Sequence, residues 1–83
     1  MRITLKLYAT LGEYLPGGAV DNAVRIELPE DATPNAVIDR YRIPPQLAHL
    51  VLVNGVYCGA GERDSTALKQ GDTLAIWPPV AGG

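Results

Sequence analysis

The chain has 83 residues, with 9 acidic and 7 basic side chains, a formal net charge of −2 and 47% hydrophobic residues. This length supports one domain, which at this size buries only about 60% of the surface its unfolded chain exposes, and leaves little room for an enclosed substrate pocket. No basic patch suits a phosphate backbone, no apolar run approaches the ~20 residues of a membrane span, and one cysteine excludes an internal disulfide.

The opening residues alternate apolar and polar and lack the apolar stretch of a signal peptide, so a soluble cytoplasmic protein is expected, without nucleic-acid or membrane partners. Ile3, Leu5 and Leu7 alternate with Arg2, Thr4, Lys6 and Tyr8, the pattern of a half-buried strand. Leu11 and Leu15 are spaced for a short helical turn, which Pro16-Gly17-Gly18 ends. Val24, Ile26 and Leu28 alternate with Arg25 and Glu27 as a second strand.

Thr33 can cap a helix with Pro34 at its first position, and that helix runs to about Tyr41 before Pro44-Pro45 forbids continuation. Val37 and Tyr41 share one face of it, away from Asp39 and Arg40. Leu50 to Val53 is apolar on both sides, and Asn54-Gly55 signals a two-residue hairpin into Val56-Tyr57-Cys58. Residues 59 to 66 read as a loop, and Gly71-Asp72 turns the chain into a last strand, Thr73 to Trp77. Five strands and one helix suit an α+β sandwich, since one helix covers only one face of a sheet.

Little here supports autonomous catalysis. There is no glycine-rich phosphate loop, so ATP should not bind to this chain. His49 stands alone, which leaves no histidine cluster for a metal, and it reads as structural. Cys58 has no histidine near it in sequence and reads as a small packed thiol. The acidic residues Glu30, Asp31, Glu62 and Asp64 fall in turns and loops, where they serve as solvated charges and caps.

The tail Pro78-Pro79-Val80-Ala81-Gly82-Gly83 is different. Prolines cannot extend a ladder and favour a stiff, extended departure, and two glycines add a terminus without side chains. Fully extended, these six residues would reach up to ~20 Å, the geometry of an arm that threads a channel and presents its own carboxylate. Gly-Gly at an end arises by chance in roughly one chain in two hundred, so the pair gains meaning only with the residues before it.

The run Ala75-Ile76-Trp77-Pro78-Pro79-Val80-Ala81-Gly82-Gly83 resembles the end of the small subunit of molybdopterin synthase. Leu68 to Leu74, Tyr8-Ala9-Thr10-Leu11 and Leu52-Val53-Asn54-Gly55 are similar to the same family, so the resemblance spans nearly the whole chain. It implies a ubiquitin-like β-grasp: a mixed sheet of about five strands, the first and last adjacent at its centre, and one main helix on one face. Residues 1–77 would form this domain and 78–83 an extended tail. The family has an apolar residue, often phenylalanine, where Trp77 stands here.

The resemblance also implies a chemistry for the tail. A ubiquitin-activating-like adenylyltransferase would use ATP to adenylate Gly83, and a persulfide donor would convert the adenylate to a thiocarboxylate. The large synthase subunit would then receive the arm, and its sulfur would pass to cyclic pyranopterin monophosphate. Gly83 carries the reacting group, Gly82 leaves the acyl carbon open, and Ala81, Val80, Pro79 and Pro78 position the arm. The chain itself would bind no cofactor or metal and would not be an enzyme alone.

In the last strand, Ala75 and Trp77 face away from Leu74 and Ile76, so a partner-binding surface is expected around Trp77 and Ala75. Packing of Trp77 within the domain is the competing expectation. Two further functions share the tail: a thiamine-thiazole sulfur carrier, typically shorter and without the Pro-Pro step, and a ubiquitin-like modifier joined to lysines through Gly83.

Overall fold

The alternation at the start of the chain folds as β1 (Arg2–Leu7), with Ile3, Leu5 and Leu7 buried and the residues between them facing outward. The computed structural model describes residues 1–79; the tail positions Val80, Ala81, Gly82 and Gly83 lie outside the described residues. The expected helical turn is a 3-10 helix over Ala9–Tyr14 that buries Leu11. β2 (Ala23–Glu27) returns antiparallel to β1 through Asp21 and Asn22, both at positive φ. Asn22 ties that turn down by donating from Nδ2 to the Leu7 carbonyl at 2.9 Å.

α1 (Pro34–Arg40) begins as its residues dictate. Thr33 is extended, its Oγ1 accepts the Ala36 N–H at 3.2 Å, and Pro34 takes the first turn. The helix stops earlier than the proline pair requires. Arg42 adopts φ +58°, and the N–H groups of Arg42 and Ile43 donate to the carbonyls of Asp39 and Ile38. This is a Schellman closure with arginine at the position glycine usually fills, pinned by buried Ile43. Ile38 is buried beside Val37, whereas Tyr41 is half-buried at the helix end.

The chain reaches β3 (Leu50–Val53) through a 3-10 turn at Pro45–Leu47, turns at Asn54-Gly55, and forms β4 (Val56–Tyr57). Asn54 and Gly55 have φ of +51° and +81°, the signature of a type I′ hairpin. The expected loop 59–66 contains a further 3-10 turn, Ala60–Glu62, closed by Glu62 Oε1 accepting the Gly59 N–H at 3.0 Å. β5 (Thr73–Trp77) then enters the middle of the sheet.

The five strands lie in the order β2-β1-β5-β3-β4, with β1 and β5 parallel and every other neighbour antiparallel. The β-grasp expectation is met: first and last strands are adjacent at the centre. Leu5 pairs with Leu74 and Leu7 with Ile76, so the inward faces of both strands lie in one layer under α1. Ile3, Leu5, Leu7, Val37, Val51, Leu74 and Ile76 form the closed centre of the core. No helix among the described residues is long and apolar enough to cross a membrane.

Candidate functional site

The site is built at the end of β5, where the chain leaves the sheet. Trp77 is the last residue of the strand; Pro78 is half-buried, Pro79 exposed, and neither belongs to a strand. Parallel pairing of Leu7 with Ile76 brings the next residues, Tyr8 and Trp77, side by side on the open face. Their rings stack with centroids 4.3 Å apart and planes 2° from parallel, a contact worth about 0.5–1.5 kcal/mol beyond the area it buries. On its other flank Trp77 pairs with Leu50 of β3. Trp77 thus lies on the uncovered face, and one side of its ring packs within the domain.

A second row lies behind the first. Lys6, Ala75, Leu52 and Tyr57 follow one another across β1, β5, β3 and β4. Ala75, expected at a partner surface, lies on this face but retains only 8% of its exposure. The apolar area beside it comes from Leu50, Leu52 and Tyr57, the last 61% exposed. Toward β2 the face turns polar, with Thr4, Arg2, Arg25 and Glu27, and the Arg2 guanidinium pairs with Glu27 at 2.7 Å. The open face therefore has a wet half and an apolar half, and the tail leaves from the apolar half.

The backbone at this root is held on both sides. The Tyr8 N–H donates to the Ile76 carbonyl at 3.1 Å, and the His49 N–H to the Trp77 carbonyl at 3.0 Å. His49 itself is exposed. Cys58 is buried, its thiol 3.8 Å from Thr66 Oγ1. A small cleft lies between Val53, Val56, Tyr57 and Glu62 at that point. No group of three or more His, Cys, Asp or Glu side chains that could hold a metal is present among the described residues. The positions expected to carry or present the reacting group, Gly83, Gly82, Ala81 and Val80, lie outside the described residues.

One residue escaped sequence reasoning altogether. Arg63, in the stretch read as a loop, is buried with 8% exposure. Its Nη1 donates to the Ala48 carbonyl at 2.7 Å, Nη2 to the His49 carbonyl at 3.1 Å, and Nε reaches the Cys58 carbonyl at 3.5 Å. Its own carbonyl accepts the Asn35 N–H at 3.2 Å. Nothing in the run Gly59-Ala60-Gly61-Glu62-Arg63-Asp64 distinguishes an arginine that turns inward from one that faces water.

Comparison with known proteins agrees with this architecture. The sequence profile of the ThiS family matches residues 5–83. No curated protein matches the chain. The HVO 2177 protein of Haloferax volcanii superposes with a TM-score of 0.77 at 27% identity, covering 100% of this chain and 87% of that one. SAMP1 of the same organism, a small archaeal modifier protein, gives 0.66 at 29% identity, covering 100% of both chains. The complex of subunits 1 and 2 of molybdopterin-converting factor from Helicobacter pylori contains a chain with the same fold, at a TM-score of 0.58 and 18% identity, with 100% of both chains covered.

Proposed function

The chain belongs to the ThiS family, and from that premise we propose that it is a sulfur carrier for molybdopterin synthesis, working through the carboxylate of Gly83. The observation that carries the carrier reading is the reach of the family match, which runs from β1 through Trp77 and the prolines to Gly83 rather than covering the fold alone. The Pro78-Pro79 step supports molybdopterin over thiamine as the pathway. The fold supports it: β5 delivers the tail from the centre of the sheet beside an apolar face.

A carboxylate is a poor electrophile, so the proposed sequence begins with activation. A Gly83 oxygen attacks the α-phosphorus of ATP on an adenylyltransferase and pyrophosphate leaves. The terminal sulfur of a persulfide displaces AMP from the acyl carbon, and a thiol reduces the resulting acyl disulfide to the thiocarboxylate. That sulfur, softer and more nucleophilic than oxygen, attacks a side-chain carbon of cyclic pyranopterin monophosphate in the large subunit and displaces an oxygen substituent from it. Water then cleaves the acyl–sulfur bond of the resulting thioester, which frees the Gly83 carboxylate and leaves the sulfur on the pterin. Gly82 leaves both faces of the acyl carbon clear, and Pro78, Pro79, Val80 and Ala81 give the arm its reach. The chain acts as a non-catalytic subunit, ATP is consumed by the activating enzyme, and the partners are that enzyme, the persulfide donor and the large subunit.

A second reading, conjugation of Gly83 to protein lysines, is favoured by the similarity to SAMP1 over the full length of both chains. Activation is common to both readings and only the acceptor differs. The test is reconstitution. The Gly83 thiocarboxylate is mixed with a molybdopterin synthase large subunit and cyclic pyranopterin monophosphate, with a chain lacking Gly83 as control. Molybdopterin formed by the intact chain alone is the expected result. No product from a fully loaded carrier with a competent large subunit would remove the molybdopterin assignment. Higher-mass conjugates in cells would then favour the modifier, and sulfur delivered to the thiazole of thiamine the other carrier.

A further inference from the structure

Arg63 carries a charge that the proposed chemistry does not use. It is buried, and no carboxylate lies within ion-pairing distance of it among the described residues; the neighbouring Asp64 accepts instead from Asn35 Nδ2 at 2.9 Å. A buried cation without a counter-ion persists only where its donors are satisfied, and here backbone carbonyls satisfy them. Two of these belong to consecutive residues, Ala48 and His49, gripped at 2.7 and 3.1 Å by the two ends of one planar fork. A lysine ammonium offers a single point and cannot reproduce that grip.

What the fork holds is the segment that holds the tail. His49, whose carbonyl Arg63 engages, donates its N–H to the Trp77 carbonyl. Pro78 and Pro79 follow Trp77 and have no N–H with which to continue the ladder. The direction in which Pro78 leaves the sheet is therefore set at Trp77, by the Tyr8 stack on one side and the His49 bond on the other. The opposite end of the Arg63 residue is fixed too, since its carbonyl accepts from Asn35 in the first turn of α1.

We infer that Arg63 is a positioning residue for transfer through Gly83, fixing the Ala48–His49 segment that aims the tail away from Trp77. The inference rests on the carrier reading above. Its effect is on how well the arm finds a partner's channel, because a displaced root changes the direction in which Pro78 and Pro79 start the arm. Its charge does no chemistry, so the acyl group of a correctly seated arm reacts normally.

The test compares Arg63→Met and Arg63→Lys with Ile26→Val, a core change on the distant strand β2, all as Gly83 thiocarboxylates at a temperature where each is folded. Single-turnover transfer with the large subunit is measured against carrier concentration, together with amide hydrogen exchange at His49. For Arg63→Met, half-saturation is expected to rise on the order of tenfold with the saturated rate nearly unchanged, and the His49 amide to exchange at least about tenfold faster. Arg63→Lys should fall between it and wild type, and remains the informative variant if Arg63→Met does not fold. Ile26→Val should match wild type in both readouts despite its lower melting temperature. Wild-type half-saturation in a folded Arg63 variant, or an equal change in Ile26→Val, would overturn the positioning role alone. A wild-type chain that transfers nothing to a competent large subunit would overturn the molybdopterin assignment, and with it this role in transfer to that subunit.

Discussion

The two faces of the sheet are made by the same strands at alternate positions, and they end in different states. Beneath α1, Leu5, Leu7, Val51, Leu74 and Ile76 are 0% exposed. On the other side, Leu50, Leu52 and Trp77 remain half-exposed and Tyr57 largely so. Hydrophobic burial follows area removed from water, so the covered face supplies most of the folding free energy and the open face comparatively little. An apolar surface that folding leaves unfinished is one that a partner can finish. The contrast also has an internal gradient, because the open face is charged toward β2 and apolar where the tail leaves.

The contrast is broken most severely by Leu74→Ala, which removes a fully buried side chain from the central strand. It should lower stability by about 2–5 kcal/mol in urea unfolding, while the molecules that stay folded bind the large subunit normally. A loss below about 1 kcal/mol would mean that the covered face is not the main stabilising layer. Trp77→Ala acts across the divide. It should weaken large-subunit binding at least about tenfold in calorimetry, with a stability loss of about 1–2 kcal/mol from the missing Tyr8 stack and its buried area. A severe melting loss with unchanged affinity would show that Trp77 serves the domain alone.

Leu52→Lys sharpens the comparison, since it places a charge in the apolar half without touching the core. Binding should fall several-fold as a charge meets a desolvated interface, and stability should stay within about 1 kcal/mol of wild type. The smallest change is Arg42→Gly at the helix end. Glycine removes the left-handed strain there, offset in part by a freer unfolded chain, for a gain of about 0.5–1 kcal/mol in thermal unfolding. Its binding should equal wild type, because this exposed position follows α1 on the helix side of the sheet, away from the open face; a weaker complex would place part of the interface on the helix side.

Most of the fold was legible because its signals are short-range. Thr33-Pro34 starts the helix, Asn54-Gly55 makes the hairpin, and period-two alternation marks β1 and β2, each within a few neighbouring residues. The helix ends within a residue of the expected Tyr41, but its closure was not legible, because the left-handed position is held by arginine and pinned by Ile43 rather than announced by glycine. Nor was the link between two turns that read as independent. Asn54 Nδ2 donates to Asp72 Oδ1 and Asn54 Oδ1 accepts the Thr73 N–H, so one side chain sets the register with which β5 enters the sheet. Around the candidate site, Trp77 was visible as an outward-facing aromatic. Its stacking partner Tyr8 and the Arg63 clamp were not, since both contacts join distant stretches of chain.

Local pattern by itself therefore determined the five strands and the main helix, the side of β1 and of β2 that would be buried, and the unusual character of the run from Trp77 to Gly83. Alternation, capping and turn chemistry act between residues that are already neighbours, so they can be read without a third dimension. Tertiary structure decided which residues stand at the root of that run. Parallel pairing of β1 with β5 set Tyr8 against Trp77, antiparallel pairing with β3 set Leu50 on the other side, and burial turned Arg63 toward Ala48 and His49. Those contacts depend on desolvation and on bonds across the sheet, which exist only once distant segments have come together.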